Sequence, residues 1–167
     1  MTARRVSLLV GLLYLITSLC VAAAPPTSLI DGKIAGQEIC WQELCGFALF
    51  FGTFNGKVNG EHTTGTFTAI VKHETPLPTQ PGGTADITSV SWTLRTPQGN
   101  FAGTGTPNVA GTLTAKKNDR FEVNLSLLIT TPAVSPPTLT FSGVLDHSGL
   151  DKQPIPELPT IMGDLFQ

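Results

Sequence analysis

Each of the three histidines in this chain stands beside an acid: Glu61-His62, His73-Glu74 and Asp146-His147. An imidazole next to a carboxylate could act as a general base or, with further ligands, hold a metal ion. Adjacent residues on a strand point to opposite faces, so such a pair converges on one centre only where it lies in a loop. His62 and His73 close the two ends of one predicted strand, 11 positions apart at about 3.3 Å each, which excludes a joint site. His73, Asp146 and His147 at one rim are the remaining candidate for enzyme chemistry. Serine nucleophiles have no matching context: there is no G-x-S-x-G elbow, and Ser142 precedes Gly143 inside a predicted strand. Asp146 and Asp151 flank His147 without a diagnostic spacing. The expectation is a protein that is not an enzyme, with no metal site and no cofactor.

Cysteine chemistry points to export. Met1 to Arg5 is short and basic, Val6 to Ala24 carries no charge, and Ala22-Ala23-Ala24 precedes Pro25-Pro26. That layout is a signal peptide over residues 1–24, cut after Ala23 or Ala24. The mature protein is then secreted or periplasmic, with no membrane segment. Cys20 leaves with the signal, so Cys40 and Cys45 form an even pair, expected as a disulfide in an oxidising compartment. Their four-residue spacer is not C-x-x-C, and no second cysteine pair completes a zinc site.

Charge narrows the partners. Loss of Arg4 and Arg5 leaves 8 basic side chains against 12 acidic ones, about −4 net. A chain without a basic stripe cannot neutralise a row of phosphates, so nucleic acid is excluded. Lys116, Lys117 and Arg120 form one basic cluster, which reads as a solvated turn.

The elements that must position these groups are strands. Two alternating runs meet at Asn59-Gly60, whose tolerance of positive φ suits a type I′ hairpin. That register opposes Phe54 to Gly65, Gly52 to Phe67 and Phe50 to Ala69, large against small on the inner face, and Leu49 to Ile70 on the other. A second hairpin is predicted around a four-residue loop, Pro97 to Asn100, opposing Leu94 to Gly103 and Trp92 to Gly105. In the third, a three-residue loop, Lys117 to Asp119, sets Leu113 against Val123, with Asn118 or Asp119 in the left-handed region. Leu139 to Leu145 alternates as a further strand, and Thr160 to Phe166 forms the last.

These runs give a single domain over residues 38–167 after an N-terminal extension, 25–37. The predicted fold is an all-β antiparallel meander of about eight strands. An up-and-down β-barrel removes every exposed edge and suits the inward glycines; a two-sheet β-sandwich is the alternative. Three functional classes follow. A barrel interior lined by Phe50, Phe54, Phe67, Trp92, Phe101 and Phe141 could hold a small apolar molecule. A packed interior would instead leave a structural or interaction module that meets a protein partner through its outer face and loops. The third class is the rim enzyme.

Overall fold

The computed structural model describes residues 29–40, 46–150 and 157–167. The chain folds into a closed antiparallel β-barrel with no helix among the described residues. Its strands are β1 (Ile30–Cys40), β2 (Phe47–Val58), β3 (Glu61–His73), β4 (Thr84–Thr96), β5 (Gly99–Gly105), β6 (Gly111–Ala115), β7 (Arg120–Thr131), β8 (Thr138–Asp146) and β9 (Thr160–Phe166). Neighbours in sequence pair around the barrel, and β9 closes it against β1.

Among the described residues nine strands occupy eight positions, because β5 and β6 run end to end in one place. Both pair with β4 on one side and β7 on the other. Between them, residues 106–110 bulge outward around Asn108, whose φ is 75°. Opposite this interruption the register of β4 slips at the Lys72/His73 step, so Thr88 and Ser89 both face outward while Ile87 and Val90 stay inside. Such an extra residue sharpens the local bend and lets one strand change partner along its length.

The first hairpin has the register that its turn residues imply. Asn59 and Gly60 sit at φ 54° and 82°, and Phe54 opposes Gly65, Gly52 opposes Phe67 and Phe50 opposes Ala69. The third also agrees: Leu113 opposes Val123, with Asn118 and Asp119 both at positive φ. The second is corrected. Its loop is Pro97-Gln98 alone, since Thr96 pairs with Gly99, so Leu94 opposes Phe101 and Trp92 opposes Gly103. The tighter turn lets the Thr96 hydroxyl donate to the Gly99 carbonyl at 3.0 Å. It also brings the Trp92 indole over Gly103, where a Cβ would lie 2.8 Å from Nε1. A slip of two residues leaves every side chain on its predicted face.

The domain boundary also moves. The strand β1 begins at Ile30, inside the segment read from sequence as an extension over 25–37. Its inward positions are Ile30, Gly32, Ile34, Gly36 and Glu38, so only two large apolar residues mark its buried face. The glycines are there because the neighbouring chain comes close. Gly32 pairs with Gly56 under the Phe54 ring, and Gly143 pairs with Gly163 under the Phe141 ring. A Cβ on Gly32 or Gly163 would sit 2.7 or 2.6 Å from the covering ring. Each aromatic thus fills the space that a glycine pair vacates and shields the bare backbone from water.

Inside the barrel the apolar residues of all nine strands form one cluster. Burial of each large member contributes about 1.5–3 kcal/mol, and the alternation of every strand drives closure. Outside, β4 to β7 present mostly Thr, Ser and Asn, and the Thr93 hydroxyl lies 2.7 Å from that of Thr68 on β3. Across β1, β2 and β3 an apolar row runs through Ile39, Leu49 and Ile70, which are direct cross-strand partners.

Candidate functional site

The two longest connections, β3–β4 and β8–β9, leave from one end of the barrel, where the ends of β1, β3 and β8 and the starts of β2, β4 and β9 meet. Glu38, His73, Asp146 and His147 are at this end; His62, exposed at the start of β3, is at the other. The topology therefore gathers all three expected rim groups, His73, Asp146 and His147, but pairs them differently from their order in sequence.

His147 does not use its neighbour Asp146. Its Nε2 lies 2.7 Å from Oε2 of Glu38, a residue 109 positions away, and the two side chains are 10% and 1% exposed. A carboxylate only accepts, so Nε2 donates in this bond. The Phe121 ring meets the imidazole edge-on at 5.3 Å, and the His147 N–H donates to the Asp119 carbonyl at 2.9 Å. Orientation of His147 is thus set by a buried acid behind it, an aromatic beside it and a backbone bond to the β6–β7 turn. Glu38 is held in turn by its N–H, which donates to the Pro159 carbonyl at 2.9 Å.

Asp146 is committed elsewhere. It takes the Arg120 Nε at 2.8 Å and the Ser148 N–H at 2.9 Å. Hydrogen bonds from the Ser148 side chain and backbone, then the nearby Arg120 charge, hold its carboxyl below the usual range. Lys116 pairs with Glu122 at 2.6 Å and, with Asn124, lowers that carboxyl too. His73 points inward at 7% exposure, with Nδ1 2.7 Å from the Glu74 carbonyl. His73 and His147 therefore serve two different spaces.

The inner space is a narrow seam in the core that touches Glu38, His73 and Trp92 as well as apolar side chains. It has a volume of about 30 Å³, room for about one water molecule and a tenth of the roughly 300 Å³ at which small-molecule sites begin. All six aromatics read from sequence as ligand-binding are buried: Phe50, Phe54, Phe67, Trp92, Phe101 and Phe141. Phe50, Phe67, Trp92 and Phe141 line the seam, while Phe54 and Phe101 do not. They act here as core side chains. The Trp92 Nε1 is a buried donor without a partner among the described residues.

The outer space is an open cleft of about 190 Å³ between three connections. Leu77, Pro78 and Thr79 come from the β3–β4 loop, Asp119 from the β6–β7 turn, and His147 and Leu150 from the β8–β9 loop, with Phe121 at its floor. His147 connects the two spaces: it lines the cleft, and its Nε2 reaches Glu38 on the seam. Among the described residues no group of three or more His, Cys, Asp or Glu could hold a metal ion.

Glu38 and Asp119 are the functional residues that sequence reading does not single out as site groups. A signal for Glu38 does exist: in Ile30 to Glu38 the acid falls on the same parity as Ile30 and Ile34, so a charge points inward. Cys40 ends β1, whereas Cys45 lies outside the described residues, as do Asp151 and the predicted signal segment. No protein-family model matches this chain, nor does any curated protein or solved structure.

Proposed function

We propose that this chain is an exported, non-catalytic binding domain whose barrel is a rigid frame for a small-molecule site at its long-loop end. The carrying observation is the contrast between its two spaces. The seam is about 30 Å³, whereas the rim cleft is about 190 Å³ and is lined by Thr79, Asp119 and His147 among the apolar Leu77, Pro78, Phe121 and Leu150. A concave, mostly apolar surface with a few convergent polar groups is the usual form of a small-molecule site. The cleft is smaller than a drug-sized pocket, so its occupant is compact. A non-catalytic role is supported by the company His147 keeps: of the described residues lining the cleft, only Thr79 carries a hydroxyl.

Export is part of the same proposal, supported by the basic, apolar and small-residue layout of residues 1–24. So is a Cys40–Cys45 bridge, which would tether the end of β1 just beyond Glu38. Native mass spectrometry of the protein from its own exported fraction tests the reading. A small-molecule mass that is lost on denaturation, and that falls in L150W because the indole fills the cleft, is the expected result. Equal occupancy in L150W would move the site elsewhere, and a bare mass in both would remove the support for a carried ligand.

A second reading, an interaction module, is favoured by the outer row of Ile39, Leu49 and Ile70, of which Ile39 and Ile70 are 38% and 41% exposed. If that row meets a partner, I39K/I70K abolishes the association seen in sedimentation while cleft binding persists.

A further inference from the structure

We infer that Asn124 is an acceptor for an N-linked glycan, carried on the outer face of β7; this goes beyond the binding proposal and rests only on its reading of export. Asn124-Leu125-Ser126 has the acceptor spacing with no proline between, and no other asparagine in the chain has Ser or Thr two positions on. Asn59, Asn108 and Asn118 serve turns at positive φ. Asn124 instead lies within β7, although asparagine is depleted in strands. Its parity turns it outward with Ser126, while Val123 and Leu125 point into the core.

The surroundings admit a sugar. The direct cross-strand partners of Asn124 are Thr112 and Ser142, both short. One N–H of Nδ2 donates to Oε1 of Glu122 at 3.2 Å, and Oδ1 accepts from the Ser142 hydroxyl at 2.9 Å. A glycosylated amide keeps one N–H and its carbonyl, so both bonds survive. In the transfer a bond forms from Nδ2 to the anomeric carbon of a polyprenyl-pyrophosphate-linked sugar as the bond from that carbon to the pyrophosphate oxygen breaks. The pyrophosphate leaves with the electron pair, and the amide gives up one proton. Because β7 is paired on both sides in the closed barrel, the step belongs to the translocating chain, before closure. The glycan then stands across the barrel from the apolar row centred on Leu49. Between β7 and β2 lie β8, β9 and β1 one way, and the shared β5/β6 position, β4 and β3 the other. It covers part of the hydroxyl-rich side and leaves that row open.

The test is mass spectrometry of the protein isolated from its own host. Trypsin cuts after Arg120 and Lys152 and releases the peptide Phe121 to Lys152, which holds Asn124 as its one asparagine. A peptide heavier by a glycan is expected, with fragmentation that leaves the sugar attached placing it on Asn124. The added mass should be lost in N124Q and S126A and kept in S126T. The Ser126 side chain is exposed on the outer face, so S126A should leave the urea midpoint unchanged, which separates loss of the motif from loss of the fold. An exported chain, cut after Ala23 or Ala24, whose peptide is bare would overturn the glycan and keep export. An intracellular chain that retains residues 1–24 and yields the bare peptide would overturn both. An added mass that persists in S126A would overturn transfer through this motif.

Discussion

Replacing His147 by alanine should destabilise the barrel by about 3–5 kcal/mol, because it removes a hydrogen-bonding partner from a buried carboxylate. The magnitude follows from burial. Glu38 is 1% exposed and borders the apolar seam, so water cannot replace the imidazole without opening the rim. A second change distinguishes this cause from simple loss of packing against Phe121. E38L puts an apolar group of similar reach on an apolar wall, and the double variant E38L/H147A should lie within about 1–2 kcal/mol of the parent. Removing the acid thus rescues the loss of the base, a coupling of about 2–4 kcal/mol. Urea unfolding at pH 7 followed by tryptophan fluorescence reads this directly, since Trp92 is 1% exposed in the native barrel. The m value should stay constant across the four proteins of the cycle. If H147A costs less than about 1 kcal/mol, or if E38L fails to improve it, the pair does not hold the rim closed.

Other consequences can be measured on the same footing. Phe54→Ala empties a fully buried ring site above Gly32 and Gly56 and should cost about 3–5 kcal/mol in the same unfolding assay; an effect under about 1 kcal/mol would mean that the ring does not fill the interior. Gly60→Ala forces a side chain onto φ 82° in the first hairpin turn and should cost about 1–2 kcal/mol without altering the barrel, as its heteronuclear correlation spectrum would show. Asp146 should titrate by carbon-detected NMR with a midpoint below the ordinary 3.8, since the Ser148 and Arg120 contacts favour the charged form. A depressed folded value means that its contribution to stability is present above the ordinary range and is lost as pH falls through the folded midpoint. In R120M that midpoint should move back upward in part, while the Ser148 bonds keep it below 3.8.

The register of the first and third hairpins is legible from residue types because it is local. Asn59-Gly60 and Asn118-Asp119 tolerate the left-handed backbone of a tight turn, and parity then assigns every side chain to a face. Alternation over β2, β3, β7 and β8 likewise makes an antiparallel barrel foreseeable, since a row of hairpins with one apolar face closes most simply on itself. The second hairpin shows the limit: both loop lengths keep the same parity, and only the packing of Trp92 over Gly103 selects the shorter one.

What the tertiary structure decided lies in contacts between distant residues. The strand β1 escapes hydrophobic patterning because three of its five inward positions are Gly32, Gly36 and Glu38, and those residues make sense only against the Gly56 and Gly52 backbones and the far loop. The two halves of the interrupted strand, β5 and β6, share a position because both are completed by β4 and β7, which no local signal reveals. The site follows the same rule. Sequence puts His147 beside Asp146, but a turn points those neighbours apart, and closure of β9 against β1 brings Glu38 to the imidazole instead. Composition and alternation determine that a barrel forms; the meeting of its first and last strands decides which acid stands behind the histidine.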